Sequence, residues 1–156
     1  MYDWSEAQVR VNSGVSERIR CNVGVKHGDV LSPILFNLFL NDLPTELCDL
    51  SFDEDTPILN DTKIDCLLYA DDLVIMSLTK EGLQCKLDHL FQYCNKWKMS
   101  VNVKKTKIMV LGGRKNVNVG ESFRIGNEIV ERVSSYKYLG VTLHEGGDMK
   151  MDMTNI

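Results

Sequence analysis

No apolar run in the 156-residue sequence approaches the length needed to cross a bilayer. The opening residues, Met1-Tyr2-Asp3-Trp4-Ser5-Glu6, are too polar for a secretory leader. The five cysteines, Cys21, Cys48, Cys66, Cys85 and Cys94, never form a C-x-x-C pair. That excludes a zinc site of recognisable spacing and fits reduced thiols in an intracellular compartment, cytoplasm or nucleus. Positive charge is not in excess either: 18 Lys and Arg stand against 22 Asp and Glu, a net charge of −4, which argues against wholesale nucleic-acid binding. There is no internal repeat. What is present, 44% hydrophobic and 26% charged residues, fits one soluble globular domain with a sizeable core.

Charge is unevenly spread. From Asp42 to Asp65 eight acids face the single base Lys63, whereas from Lys86 to Lys115 eight bases face only Asp88. Such a split can build one cationic face on an acidic chain.

Residues 7–25 alternate loosely around Asn12-Ser13-Gly14, a pattern that predicts a hairpin with a glycine bulge. The loop Gly24–Pro33 follows. Ser32 as N-cap and Pro33 at the first helical position predict a helix that stops before Pro44 and buries Ile34, Leu35, Leu38 and Phe39. Residues 45–62 read as a long solvated connection. Ile64–Tyr69 and Leu73–Met76 read as two strands, apolar enough for burial on both faces. The 3.6-residue period of Leu83, Leu87, Leu90, Phe91, Cys94 and Trp97 predicts a helix within 79–99. Val101–Val103 and Lys107–Leu111 read as extended. The C-terminal third is strand-like, at 117–119, 122–125, 128–133 and 137–143, with Gly126-Asn127 as a two-residue turn. A frayed tail is expected over 146–156. The expected fold class is α+β, a mostly antiparallel sheet with helices packed on one face.

Between the two apolar strands sit Asp71 and Asp72. An Asp-Asp pair alone is weak evidence, since most such pairs are solvated turn residues. Here Leu67-Leu68-Tyr69 and Leu73-Val74-Ile75-Met76 flank it, which is unusual for an exposed hairpin tip. Two adjacent like charges call for a cation, and hard divalent ions such as Mg²⁺ prefer carboxylate oxygen. Successive strand residues point to opposite faces, so Asp71 is the main candidate ligand and Asp72 the weaker. Gly24-x-x-x-Gly28 ahead of a helix could cradle a phosphate, although no Gly-Lys-Ser/Thr follows and an ordinary loop-to-helix junction is the commoner outcome. Lys104, Lys105 and Lys107 read equally as a blunted strand edge or as cations for phosphate.

In this order the residues resemble part of a reverse transcriptase of the non-LTR, LINE-type retrotransposon group. Tyr69-Ala70-Asp71-Asp72 resembles the YADD catalytic box, and Gly24–Pro33 with Leu35-Phe36-Asn37 the nucleotide- and template-contacting motif. Trp97 through Asn102 to Lys107 resembles the following palm motif, and Tyr136–Val141 the approach to the primer grip and thumb. The resemblance implies a partial palm over 1–145, ending at the start of the thumb. It also implies two Mg²⁺ (or Mn²⁺) ions, and an RNA template, a DNA primer and a deoxynucleotide as partners, with no membrane. Asp71 and Asp72 would be the catalytic metal ligands. His27, Gly28, Ser32, Tyr69 and Lys105 would contact nucleotide or template. His27 replaces the family's usual Gln, and the family's upstream catalytic Asp has no counterpart in strand context here. The expectation is therefore a chain that starts after that motif and is inactive alone. The alternative is a non-catalytic remnant that acts as a nucleic-acid-binding or structural fragment.

Overall fold

The computed structural model describes residues 6–12, 14–21, 24–25, 28–48, 55–112 and 122–151. His27 and the expected strand at 117–119 lie outside the described residues. The chain divides into two compact units, residues 1–42 with 68–73, and residues 43–67 with 74–156.

In the first unit β1 (Glu6–Ala7), β2 (Arg10–Val11), β3 (Gly14–Val15) and β4 (Ile19–Arg20) form nested antiparallel pairs, β2 with β3 and β1 with β4. Val11 faces Gly14 directly, so the connection has two residues and no bulge, and Gly14 lies within a strand. Asn12 starts the turn at φ 41°, a conformation its short polar side chain tolerates. Helix α1 spans Ser32–Phe39. Its cap differs from the expected one: Leu31 is the N-cap and Ser32 is already helical and buried. Asp29 makes the junction instead, its carboxylate accepting from the Leu31 N–H at 3.0 Å and its carbonyl from the Ser32 N–H at 3.2 Å. The expected buried stripe is also wrong, because Ile34, Leu38 and Phe39 are exposed while Leu40, just past the helix, is buried.

The second unit opens with α2 (Leu43–Cys48), which Pro44 helps to start rather than merely ending the helix before it. Within the stretch read as a solvated connection, Asp55 and Thr56 are buried, and β5 (Ile58–Leu59) pairs with β6 (Thr62–Lys63). Asn60 and Asp61 both take positive φ, 47° and 63°, as a type I′ hairpin turn requires. Strands β7 (Cys66–Tyr69) and β8 (Asp72–Ile75) pair as the sequence predicts. They are not buried on both faces, since Leu67 and Tyr69 are exposed and alternate with half-buried Cys66 and Leu68.

Helix α3 (Lys80–Lys96) is the longest element. Thr79 caps it by accepting the Gly82 N–H at 3.0 Å, and Lys96 in its last turn complements the helix dipole. Leu87, Leu90, Tyr93 and Cys94 are buried, whereas Phe91 and Trp97 are partly exposed, so the apolar stripe is narrower than its period suggests. One side of α3 meets α2 and another meets β10.

Strands β9 (Lys107–Ile108), β10 (Phe123–Ile125) and β11 (Glu128–Arg132) form a sheet in the order β10-β11-β9. β10 and β11 run antiparallel, and β11 and β9 parallel. Gly126 begins the β10–β11 turn at φ 58°, and a Cβ there would stand 2.7 Å from the Phe91 ring, so both backbone and packing demand glycine. Leu87, Ile108, Phe123, Ile125 and Val130 form a buried hydrophobic cluster, with Ile75, Leu83, Val101 and Val103 packed against it. Gln84 closes the β10 edge, accepting the Arg124 N–H at 3.0 Å and donating to the Arg124 carbonyl at 2.9 Å.

The apolar run 137–143 is not one strand. The turn Leu139-Gly140 splits it into β12 (Ser135–Tyr138) and β13 (Val141–His144). β14 (Met149–Met151) pairs with β13 within the stretch expected to be frayed. The whole is α+β, with mostly antiparallel pairing.

Candidate functional site

The turn between β7 and β8 consists of Ala70 and Asp71, and Asp72 opens β8. Ala70 holds φ 52°, where a Cβ is disfavoured and glycine would be at ease. The hairpin therefore keeps a strained residue at its tip, next to the two acids. Backbone strain of this kind clusters where function constrains a turn. Asp71 and Asp72 are both exposed, and Tyr69 is 64% exposed. Adjacent hard oxygen donors at an open turn fit a divalent ion that draws the rest of its shell from water and phosphate. Among the described residues no cluster of three or more His, Cys, Asp or Glu side chains could hold an ion.

The other predicted residues are placed unequally. Gly28, Ser32, Tyr69, Asp71 and Asp72 fall in the first compact unit, Lys105 in the second. Gly28 is exposed at φ 80°, whereas Ser32 is buried in the first turn of α1. The N–H groups of Leu31 and Ser32 are engaged by Asp29, which favours the plain loop-to-helix junction over a phosphate cradle. Lys105 is exposed, and its N–H is tied to the Asn102 carbonyl at 3.0 Å. His27 lies outside the described residues. Cys85 and His89 stand one turn apart on α3, with Sγ 3.7 Å from Nδ1, but Nδ1 also lies 2.8 Å from the Cys85 carbonyl and donates to it.

In the second unit, sequence reasoning missed a buried polar network. Lys86 is 2% exposed and donates to Asp65 Oδ1 at 2.6 Å and to the Met76 carbonyl at 2.7 Å. Thr56 donates to the same Asp65 oxygen at 2.6 Å. The Asp55 carboxylate accepts from the Ser77 hydroxyl and, at 2.7 Å, from the Thr79 N–H at the start of α3. Burial pushes the Asp55 carboxyl up, but the Ser77 and Thr79 hydrogen bonds and the Lys86 charge outweigh it and hold the group below its ordinary value. Burial, then the charge of Asp65, pushes the Cys66 thiol up against the opposing pull of Lys86. Gly82 makes room for all this, since a Cβ there would lie 1.6 Å from Asp55 Oδ2. One signal was readable: Lys86 falls on the apolar stripe of Leu83, Leu87 and Leu90, where a solvated lysine has no place.

The charge split also resolves differently from the expectation of one cationic face. Lys86 pairs with Asp65 and Lys96 with Glu46 at 3.0 Å, so acids of the 42–65 stretch meet bases of the 86–115 stretch. Lys107 is paired with Glu131.

The family model for reverse transcriptase (RNA-dependent DNA polymerase) matches residues 1–143. The chain is 30% identical over 141 residues to the RNA-directed DNA polymerase from mobile element jockey of Drosophila melanogaster, covering 85% of this chain and 14% of the relative. It is 29% identical over 160 residues to the Pol polyprotein of a type-1 R2 retrotransposable element of Nasonia vitripennis, covering 97% and 15%. A further R2 relative, from Popillia japonica, is 30% identical over 163 residues, covering 97% and 22%. The chain therefore spans a small part of the length of these relatives.

Proposed function

Since the chain belongs to the reverse transcriptase family, among the polymerases of non-LTR retrotransposons, we propose that its β7–β8 turn is the metal-carrying edge of a polymerase palm. The parent activity is RNA-directed DNA synthesis on an RNA template from a primer 3′-hydroxyl. The observation that carries this reading is the pair of exposed carboxylates, Asp71 and Asp72, beside the strained Ala70 at the tip of a hairpin. When bound, Mg²⁺ or Mn²⁺ ions activate the hydroxyl and neutralise charge on the phosphates. Asp71 and Asp72 would hold the ions, Asp71 more directly. Within the first unit, the exposed ring of Tyr69 would serve the primer terminus and the backbone at Gly28 the nucleotide; in the second unit, exposed Lys105 would serve as a phosphate-binding cation.

With two carboxylates as its own contribution among the described residues, the chain binds the ion weakly and does not synthesise processively in isolation. Titration with Mn²⁺, followed through the electron paramagnetic resonance of the free ion, tests this directly. Asp71→Asn is expected to lower affinity about tenfold, and Asp72→Asn by less. Affinity indifferent to both variants would sink the metal reading. Template-directed primer extension by the isolated chain, abolished by Asp71→Ala, would overturn the claim of inactivity. The alternative, a non-catalytic nucleic-acid-binding remnant, is weakened by the pairing of Lys86, Lys96 and Lys107 with acids.

A further inference from the structure

Lys86 donates to the side chain of Asp65, the residue just before β7, and to the carbonyl of Met76, the residue just after β8. Those two residues are themselves paired, the Met76 N–H donating to the Asp65 carbonyl at 2.7 Å. One ammonium thus bridges the open end of the hairpin whose other end carries Asp71 and Asp72. The following residues are held as closely. Leu78 N–H donates to the Asp55 carbonyl at 2.8 Å, and the Ser77 hydroxyl and the Thr79 N–H donate to the Asp55 carboxylate.

Stability alone is a poor reason for this arrangement. Removing an ammonium and a carboxylate from water is costly, and well-packed apolar residues in place of a buried ion pair are often as stable or more so. Methionine at position 86 would suit the stripe of Leu83, Leu87 and Leu90. What an apolar side chain cannot do is fix Asp65 and Met76 together. Register is what needs fixing, because a slip of one residue sends every side chain of a strand to the opposite face. In most hairpins the turn sets register through Asn-Gly or Asp-Gly, but this turn is Ala-Asp with Ala70 strained at φ 52°, and it specifies little. A slip would exchange which of Asp71 and Asp72 stands in the turn.

We propose that Lys86 is a positioning residue that locks the register of the β7–β8 hairpin from its open end, and so decides which carboxylate is presented. The link to the metal rests on the polymerase reading above, whereas the lock itself does not.

The test compares Lys86→Met, which strands the Asp65 charge and lowers the melting temperature, with Asp65→Asn/Lys86→Met. The double variant removes both charges and regains thermal stability, but it lacks the donor to the Met76 carbonyl. If the lock is real, the Cys66–Ile75 amides of the double variant exchange hydrogen about tenfold faster than in the unmodified chain, with the β12–β13 amides as internal control. Its Mn²⁺ affinity also falls about tenfold. Native exchange rates at β7–β8 in the double variant would overturn the proposal. So would exchange of the Met76 amide in the unmodified chain faster than that of Asp72 beside the turn, a measurement that needs no variant to fold. Mn²⁺ binding indifferent to Asp71→Asn, with the exchange result intact, would remove the metal reading and leave the lock standing.

Discussion

Leu139 sits at φ 46° with about half its surface exposed, 52%, in a turn whose second residue, Gly140, has φ 83°. A two-residue turn with both φ values positive is type I′, which favours Asn-Gly. A leucine gains little there from burial and bears the left-handed penalty of about 1–2 kcal/mol. Leu139→Asn is therefore expected to stabilise the chain by about 1 kcal/mol, raising the melting temperature by about 2–4 °C in a calorimetric scan. Unchanged or lower stability would mean that the leucine makes a contact worth more than the strain. This turn was illegible for the same reason: Leu is a comfortable strand residue, so 137–143 reads as one uninterrupted run. Cysteine chemistry also belongs to single residues. Burial pushes the Cys94 thiol up, and burial with the Asp65 charge does the same to Cys66, while Cys21 is exposed. The thiolate is the reactive form, so iodoacetamide at mildly alkaline pH should label Cys21 well before Cys66 and Cys94, as peptide mass mapping would reveal.

At the scale of elements, the start of α3 shows how a distant acid can reinforce a local cap. Asp55 lies over the first helical turn, 24 residues before Thr79, and glycine at 82 leaves the space it needs. Helix propensity alone favours Gly82→Ala by about 1 kcal/mol. The displaced carboxylate loses charge-assisted hydrogen bonds worth about 1.5–3 kcal/mol each, so the substitution should destabilise the unmodified chain. In an Asp55→Ala background the obstruction is gone, and the same substitution should stabilise. A double-mutant cycle by urea unfolding measures this change of sign, and simple additivity would refute it. The pH dependence follows from the same contacts. Because folding lowers the Asp55 pKa, its contribution is complete above the ordinary value, 3.8, and is lost as pH falls through the lower folded value. Asp55→Asn should thus flatten the acid limb of the stability profile below about pH 4. Elements with a strong local signal were legible: the α3 period, the β7–β8 pair and the Gly126-Asn127 turn. The α1 cap was misassigned because Ser32-Pro33 is a strong start signal, yet Asp29 offers both a carboxylate and a carbonyl one turn earlier. Lys86 meets Asp65 across 21 residues of chain and Thr79 meets Asp55 across 24, distances at which periodicity carries no information.

Over the whole molecule, the sequence separates charge and the fold recombines it. The acid-rich and base-rich stretches meet through Glu46–Lys96 and Asp65–Lys86, the first exposed and the second buried. The exposed pair contributes at most about 1 kcal/mol. Both pairs nevertheless withdraw lysines from the surface available to a polyanion, and Lys107 is withdrawn by Glu131. Lys98, Lys104 and Lys105 are exposed in the base-rich stretch, and Arg114 and Lys115 lie outside the described residues. Each phosphate neutralised on a single strand contributes about −0.7 to the slope of log affinity against log salt. All eight bases acting together would give a slope of about −5.6, three to five bases one of about −2 to −3.5. Fluorescence anisotropy with a labelled single-stranded oligonucleotide over a salt series separates these cases. The shallow slope is expected, and Lys104→Ala with Lys105→Ala should reduce its magnitude by about 1.4. A slope near the steep limit would mean that nucleic acid breaks the pairs with Glu46, Asp65 and Glu131. For Lys86 that means exposing an ammonium that is 2% accessible and leaving Asp65 buried without it, so binding would have to unlock the hairpin that carries Asp71 and Asp72.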